Sequence, residues 1–261
     1  MAETVLVATT GAVARITINK PEVMNAFDET LIADMTAAFA RVGADPAIRA
    51  VVLAGNGRAF SAGADLNWMK RTADYSEEEN VADARGLAHL LKVIDRLEKP
   101  TIALVHGAAY GGGVGLVAAC DMAIAVPEAI FSLSEVRLGL LPAVISPYVV
   151  AAIGARQARR YFLTAERFDA SEALRIGLVH AVAPREALEM AGETLVHALS
   201  EGGPAAQAAS KKLIERVARG PIDDEMIEDT AQRIASLRAS AEGREGVRAF
   251  LEKRKPAWRA G

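Results

Sequence analysis

The stretch Thr101-Ile102-Ala103-Leu104-Val105-His106-Gly107-Ala108-Ala109-Tyr110-Gly111-Gly112-Gly113-Val114-Gly115 reads as a hydrophobic strand, a glycine-rich turn and the start of a helix. About fifty residues upstream, the run Ala50 to Ala54 leads in the same way into Phe60-Ser61-Ala62-Gly63-Ala64-Asp65. One strand-turn-helix unit used twice is a weak internal repeat, the mark of a coiled β/α architecture built from stacked turns. Two such turns side by side would aim two backbone N–H groups at one point, the geometry of an oxyanion hole. Glycine and alanine let a ligand approach the backbone that closely.

The rest of the chain extends this pattern. Val5 to Thr9 and Val13 to Ile18 flank Thr10-Gly11 as a hairpin. Asp28 caps a helix with Leu31, Met35, Phe39 and Val42 on one face. Ser76 and Glu79 form a capping box for a helix through Leu97, and Pro100 ends that region. A short apolar helix runs from about Val114 to Cys120, followed by Met122 to Val126 and Ile130 to Leu133, each too short for a helix. From Pro184 onward only helices are signalled, at about 185–200, 204–219, 223–239 and 242–254, with a boundary near residue 198. The expected architecture is α/β, with a main domain over 1–197 and a helical region over 198–261. Four modest helices make a poor core alone, so oligomerisation is expected.

Composition narrows the function. The 261 residues are 51% hydrophobic and 24% charged, with few aromatics, as in a globular enzyme. A net charge of −3 argues against nucleic-acid binding, so a polyanionic ligand must be held by local cations. The single cysteine, Cys120, excludes an intrachain disulfide and a Cys-based zinc site, and points to a reducing compartment. Met1-Ala2-Glu3-Thr4 shows no basic segment followed by an apolar run, and no stretch approaches the ~18 apolar residues of a membrane helix. A cytoplasmic protein with no membrane partner is expected.

Motifs for P-loop nucleotide hydrolysis, zincin chemistry and the serine-hydrolase elbow are missing from the sequence. His89, His106, His180 and His197 are too dispersed to suggest a metal cluster. Gly113-x-Gly115-x-x-Ala118 fits a dinucleotide fingerprint, with Glu135 20 residues beyond Gly115. The fit is poor, because His106 to Gly111 separate the strand from Gly112 and Asp121 cuts the helix short. The alternative joins the two turns to Glu135. That carboxylate, following Ile130 to Ser134 among apolar residues, is either an exposed strand-end charge or a buried general acid/base.

Several dispersed stretches resemble the enoyl-CoA hydratase/isomerase (crotonase) family. They are Pro21 to Phe27, Arg58 to Leu66, Lys99 to Ala103, Gly107 to Asp121, Phe131 to Gly139, Leu163 to Phe168 with Ala170 to Val179, and Phe250 to Pro256. The resemblance implies a crotonase-type spiral of ββα repeats and a C-terminal helical trimerisation region, as a homotrimer or dimer of trimers. It also implies an acyl-CoA thioester substrate and no separate cofactor, coenzyme A being part of the substrate. By position, the N–H groups of Ala64 and Gly112 would form the oxyanion hole and Glu135 would carry the proton. Val23, Ala26, Ala62, Asp65 and Leu66 would line the CoA groove, and Lys253 on the last helix would meet the phosphates or adenine.

The family's hydratases usually carry a further glutamate where this chain has Gly115, and a one-glutamate site is the usual isomerase pattern. Yet Phe131 to Gly139 with Pro142 to Tyr148 resembles the methylglutaconyl-CoA and isohexenylglutaconyl-CoA hydratases, which also lack it. Lys70, Arg71, Tyr110, Arg137 and Ser146 are candidates for a second substrate carboxylate. A relative that binds RNA directs attention to Lys211, Lys212, Arg216 and Arg219, which the acidic balance reads instead as a solvated helix face.

Overall fold

The computed structural model describes residues 3–218 and 220–259. Strands β1 (Val5–Thr10) and β2 (Val13–Ile18) form the expected hairpin. The Asp28 carboxylate accepts the Leu31 N–H at 2.8 Å and starts α1 (Glu29–Ala44), which buries Leu31, Met35, Phe39 and Val42. Each of these side chains stabilises the fold by roughly 1.5–3 kcal/mol. Next come β3 (Ala50–Gly55), α2 (Leu66–Thr72) and α3 (Glu77–Asp95), the last opened by the Ser76/Glu79 capping box. The chain continues through β4 (Thr101–Val105), β5 (Ala108–Tyr110), α4 (Gly112–Ala119), β6 (Met122–Ala125) and β7 (Ile130–Ser132). Beyond them lie α5 (Ser146–Thr164), β8 (Phe168–Asp169), α6 (Ala170–Arg175) and β9 (Ala181–Val182). Helices α7 (Leu188–Glu201), α8 (Pro204–Val217), α9 (Asp224–Ala239) and α10 (Ala241–Leu251) complete the order.

Two sheets explain the repeat. The larger runs β1-β2-β3-β4-β6-β9, parallel except for the first pair, and the smaller runs β5-β7-β8. A single Ser61–Ala109 bridge extends the smaller ladder, so Ser61, Ala109, Phe131 and Phe168 lie in successive register. The chain therefore alternates between the sheets: β3 then Ser61, β4 then β5, β6 then β7. Each passage then leaves through helical structure, which makes the spiral of ββα repeats. Buried strands such as β4 read as continuous apolar runs for this reason.

Several local expectations shift. The α3 helix stops at Asp95 rather than Leu97. Helix α4 begins at Gly112, two residues before Val114, because the glycines themselves form its first turn. The interval His106 to Gly111 contains β5, so a strand does approach the second turn, though it belongs to the smaller sheet. Glu135 opens a 3-10 turn, Glu135–Leu138, instead of ending a strand.

The chain divides into two compact units, Met1–Leu97 with Thr101–Glu193, and Glu98–Pro100 with Thr194–Gly261. The first contains both sheets. Helix α7 continues through residues 197 and 198, where the sequence suggested a boundary. In the second unit α8, α9 and α10 touch one another, and Glu242 accepts the N–H groups of Ala205 and Ala206 at the start of α8. No helix among the described residues is long and apolar enough to cross a membrane.

Candidate active site

The first glycine-rich turn is held by Asn25, which is fully buried at φ +56°. Its amide donates to the carbonyls of Asn56 and Ala59 at 2.9 and 2.8 Å, and its side-chain oxygen accepts the Lys20 N–H at 2.9 Å. The Asn25 carbonyl accepts the Ser61 hydroxyl at 2.9 Å. Two residues on, the Phe27 N–H donates to the Gly63 carbonyl at 2.7 Å, and the Phe27 carbonyl accepts the Asp65 N–H at 2.8 Å. This parallel bridge uses the groups on either side of Ala64 and leaves the Ala64 N–H pointing away from Phe27. The exposed Ala64 N–H has no acceptor among the described residues.

The second turn lies against the first. Tyr110 N–H donates to the Ser61 carbonyl at 2.9 Å, and a Cβ on Gly113 would stand 2.8 Å from that same carbonyl. Only glycine permits this approach. Gly111, at φ +49° and ψ −115°, swings the chain so that α4 starts at Gly112. As the first helical residue, Gly112 has an N–H with no intrahelical partner. The ring of Phe27 packs 3.1 Å from the Cβ position of Gly112, with Leu87 of α3 at 3.7 Å. Phe27 thus meets the Ala64 segment through its backbone and Gly112 through its ring.

Glu135 joins them. One carboxylate oxygen, Oε1, is 3.1 Å from the Cβ position of Gly111, and the other, Oε2, is buried without a hydrogen-bond partner among the described residues. Burial pushes its pKa up from the ordinary carboxylate value, only partly offset by its own backbone N–H. A carboxylate so placed holds its proton to higher pH than an ordinary glutamate. The alternative of an exposed strand-end charge is excluded. One turn along α4, Gly115 carries no side chain because Ile145 fills the space, its Cγ2 being 2.3 Å from the Cβ position of Gly115. Leu91 lies 3.6 Å away on the same side.

The remaining candidates are dispersed in their roles. Val23 and Ala62 are half-buried and Ala26 is buried, linked through the Ala62 N–H to Met24 carbonyl bond at 2.9 Å. Leu66 is 72% exposed, whereas the Asp65 carboxylate caps α2 on the N–H groups of Asn67 and Trp68. Tyr110 sits beneath the Arg167 guanidinium, 5.6 Å from its ring centroid. Arg71 is committed to Glu29, and the Ser146 hydroxyl donates to the Ala143 carbonyl. Lys70 and Arg137 are exposed and have no ion pair among the described residues. Lys253 lies beyond α10 rather than on it, at φ +54°, and belongs to the second unit.

On α8, Lys212 pairs with Glu98, and Arg216 with Glu225 and Asp229, which fits a compensated surface; Arg219 lies outside the described residues. No group of three or more His, Cys, Asp or Glu residues is arranged for a metal among the described residues. Phe27, Leu87, Leu91 and Ile145 were not foreseen as site residues. The four-residue spacing of Leu87 and Leu91 puts them on one helix face, but what that face meets is a tertiary fact.

Known proteins match this arrangement along nearly the whole chain. Residues 8–261 match the family described as enoyl-CoA hydratase/isomerase. A short-chain-enoyl-CoA hydratase of Clostridium acetobutylicum is 32% identical over 251 residues, covering 94% of this chain and 93% of its own. The crystal structure of an enoyl-CoA hydratase from Shewanella pealeana superposes with a TM-score of 0.96 at 44% identity, over 98% of this chain and 96% of that one. Pseudomonas aeruginosa AtuE superposes at 0.94 with 40% identity, over 98% and 100%. The spiral of ββα repeats is the crotonase fold, and the chain is an enzyme of the enoyl-CoA hydratase/isomerase family.

Proposed function

We propose that this enzyme adds water to a β-branched enoyl-CoA thioester such as 3-methylglutaconyl-CoA, with the Ala64 and Gly112 N–H groups as the oxyanion hole and Glu135 as proton carrier. The observation that carries this reading is the half-buried Glu135 carboxylate, with an unpartnered Oε2, beside the second of two adjacent turns that each bear one free N–H group. Water would attack Cβ as the ionised carboxylate takes its proton. The electron pair of the double bond moves into the thioester as an enolate. The carboxyl then returns the proton to Cα, leaving the hydroxyacyl product and the ionised Glu135. Each oxyanion donor is typically worth about 3 kcal/mol in the transition state.

A branched β-carbon suits a site with a single carboxylate, because an alkyl group there supports developing positive charge and lowers the demand for a strong base on water. A glutaconyl substrate also brings a distal carboxylate, for which Lys70 and Arg137 are the free cations among the positions considered. Val23, Ala26, Ala62 and Leu66 suit a CoA groove on the near side of the first turn, and Lys253 a CoA phosphate. The exposed Ile214, Ile227, Ile234 and Phe250 of the helical unit suit contact with neighbouring subunits of a trimer or hexamer. The single cysteine, Cys120, suits a reducing setting such as the cytoplasm.

The filled space at Gly115 also favours a second reading, double-bond isomerisation. Glu135 would then take a proton from Cα of a 3-enoyl-CoA and return it to Cγ, with no water consumed. Incubation with 3-methylglutaconyl-CoA, crotonyl-CoA and a 3-enoyl-CoA in ¹⁸O water separates the two. Label in a hydroxyacyl product supports hydration; a shifted double bond without label supports isomerisation. Full activity of Glu135→Gln in both assays would overturn the mechanism.

A further inference from the structure

The two free N–H groups have a common support. Phe27 is 1% exposed and meets the first turn through its backbone, by the paired bonds to Gly63 and Asp65 that orient the Ala64 N–H. It meets the second turn through its ring, whose Cε2 and Cδ2 lie 3.1 and 3.3 Å from the Cβ position of Gly112. The ring packs against a glycine, so its width bears on where the start of α4 sits, beside the Tyr110 N–H to Ser61 carbonyl bond that joins the two turns directly.

We propose that Phe27 is a positioning residue that sets the spacing between the Ala64 and Gly112 N–H groups. This rests on the oxyanion reading above. A donor aligned to a developing oxyanion loses much of its effect when displaced, and deleting one costs about 10²–10³ in kcat. Narrowing the wedge is therefore expected to lower kcat by about tenfold, while affinity for free coenzyme A, which has no thioester oxygen, stays within about twofold.

The test uses 2,4-hexadienoyl-CoA, whose absorption moves to longer wavelength when its thioester oxygen is polarised. Wild type should show this red shift on binding, and Phe27→Leu, which lacks the outer ring atoms, should show a smaller one. A general loss of stability would reduce the amount of folded enzyme but not the shift per bound ligand. Gly112→Ala should weaken the shift by pushing on the ring, and adding Phe27→Leu to it should restore part of the loss. If Phe27→Leu does not fold, Phe27→Met takes its place. An unchanged shift and kcat in the folded Phe27 variant, or no recovery in the double variant, overturns the role of Phe27 alone. No red shift in wild type overturns the oxyanion reading and this inference together.

Discussion

Ile145 Cγ2 stands 2.3 Å from where Gly115 would carry a Cβ, so these two residues exclude each other's growth. Ile145 is only 3% exposed and its Cβ is 2.9 Å from the same point, which leaves no easy rotation out of the way. Gly115→Ala should therefore cost about 1–3 kcal/mol despite alanine's better helix propensity. Urea unfolding should show the loss, and Ile145→Ala in the same chain should make Gly115→Ala far less costly than it is alone. Additive effects of the two substitutions would contradict the packing.

Glu135→Gln tests catalysis and stability in opposite directions. Loss of the proton carrier should reduce turnover by about 10²–10⁴-fold. The folded chain holds the carboxyl above the ordinary value of 4.5, so the unfolded chain ionises first as pH rises. Folding is therefore penalised above about pH 4.5, and the penalty is complete once pH exceeds the raised value. Glutamine removes it. The variant should melt higher than wild type at pH 7.5, with little difference at pH 4.

The same shift predicts a pH profile. Hydration or isomerisation both begin from the ionised carboxylate, so kcat/KM should rise through an apparent pKa above that of an ordinary glutamate. A profile flat from pH 4.5 upward would argue that Glu135 is not the titrating group.

Gly111→Ala combines two faults. Its backbone at φ +49° and ψ −115° is a conformation that alanine adopts only at a cost of about 1–3 kcal/mol. The new methyl would also press on Glu135 Oε1 at 3.1 Å. Activity should fall further than stability, as measured by kcat beside the melting temperature.

Asn25→Ala would strand the buried Ala59 carbonyl, at about 1–3 kcal/mol, and free the half-buried Lys20 N–H at a smaller cost. Asn25→Asp keeps the acceptor but sets a carboxylate against two carbonyls, and should be worse at neutral pH than in acid. Chemical unfolding at both pH values separates the two effects.

The local elements were legible where short-range physics decides them. Asp28 and the Ser76/Glu79 box mark helix starts because the side chain that satisfies the orphan N–H lies three residues away. Continuous apolar runs such as Thr101 to Val105 mark strands covered on both faces. The strand-turn-helix unit repeated at Gly63 and Gly111 gave the coiled architecture, and the dispersed motifs gave the family. The segment from Ser134 to Pro184 offered no such local signal, and α5 in it is broken at Gly154 by φ +73°.

What only the tertiary structure decided is how the pieces converge. The sequence alone favoured an exposed strand-end charge at Glu135, whereas the structure half-buries the carboxylate, because desolvation depends on neighbours from distant segments. Nothing local in the sequence says that Ile145, thirty residues along, fills the void at Gly115, or that Phe27 wedges under Gly112 while hydrogen-bonding around Ala64. The register of the second ladder, Ser61 against Ala109 against Phe131, likewise joins residues from three distant segments. Sequence fixes which backbone shapes are affordable at each position; side-chain volumes meeting across long separations determine which of them form a site.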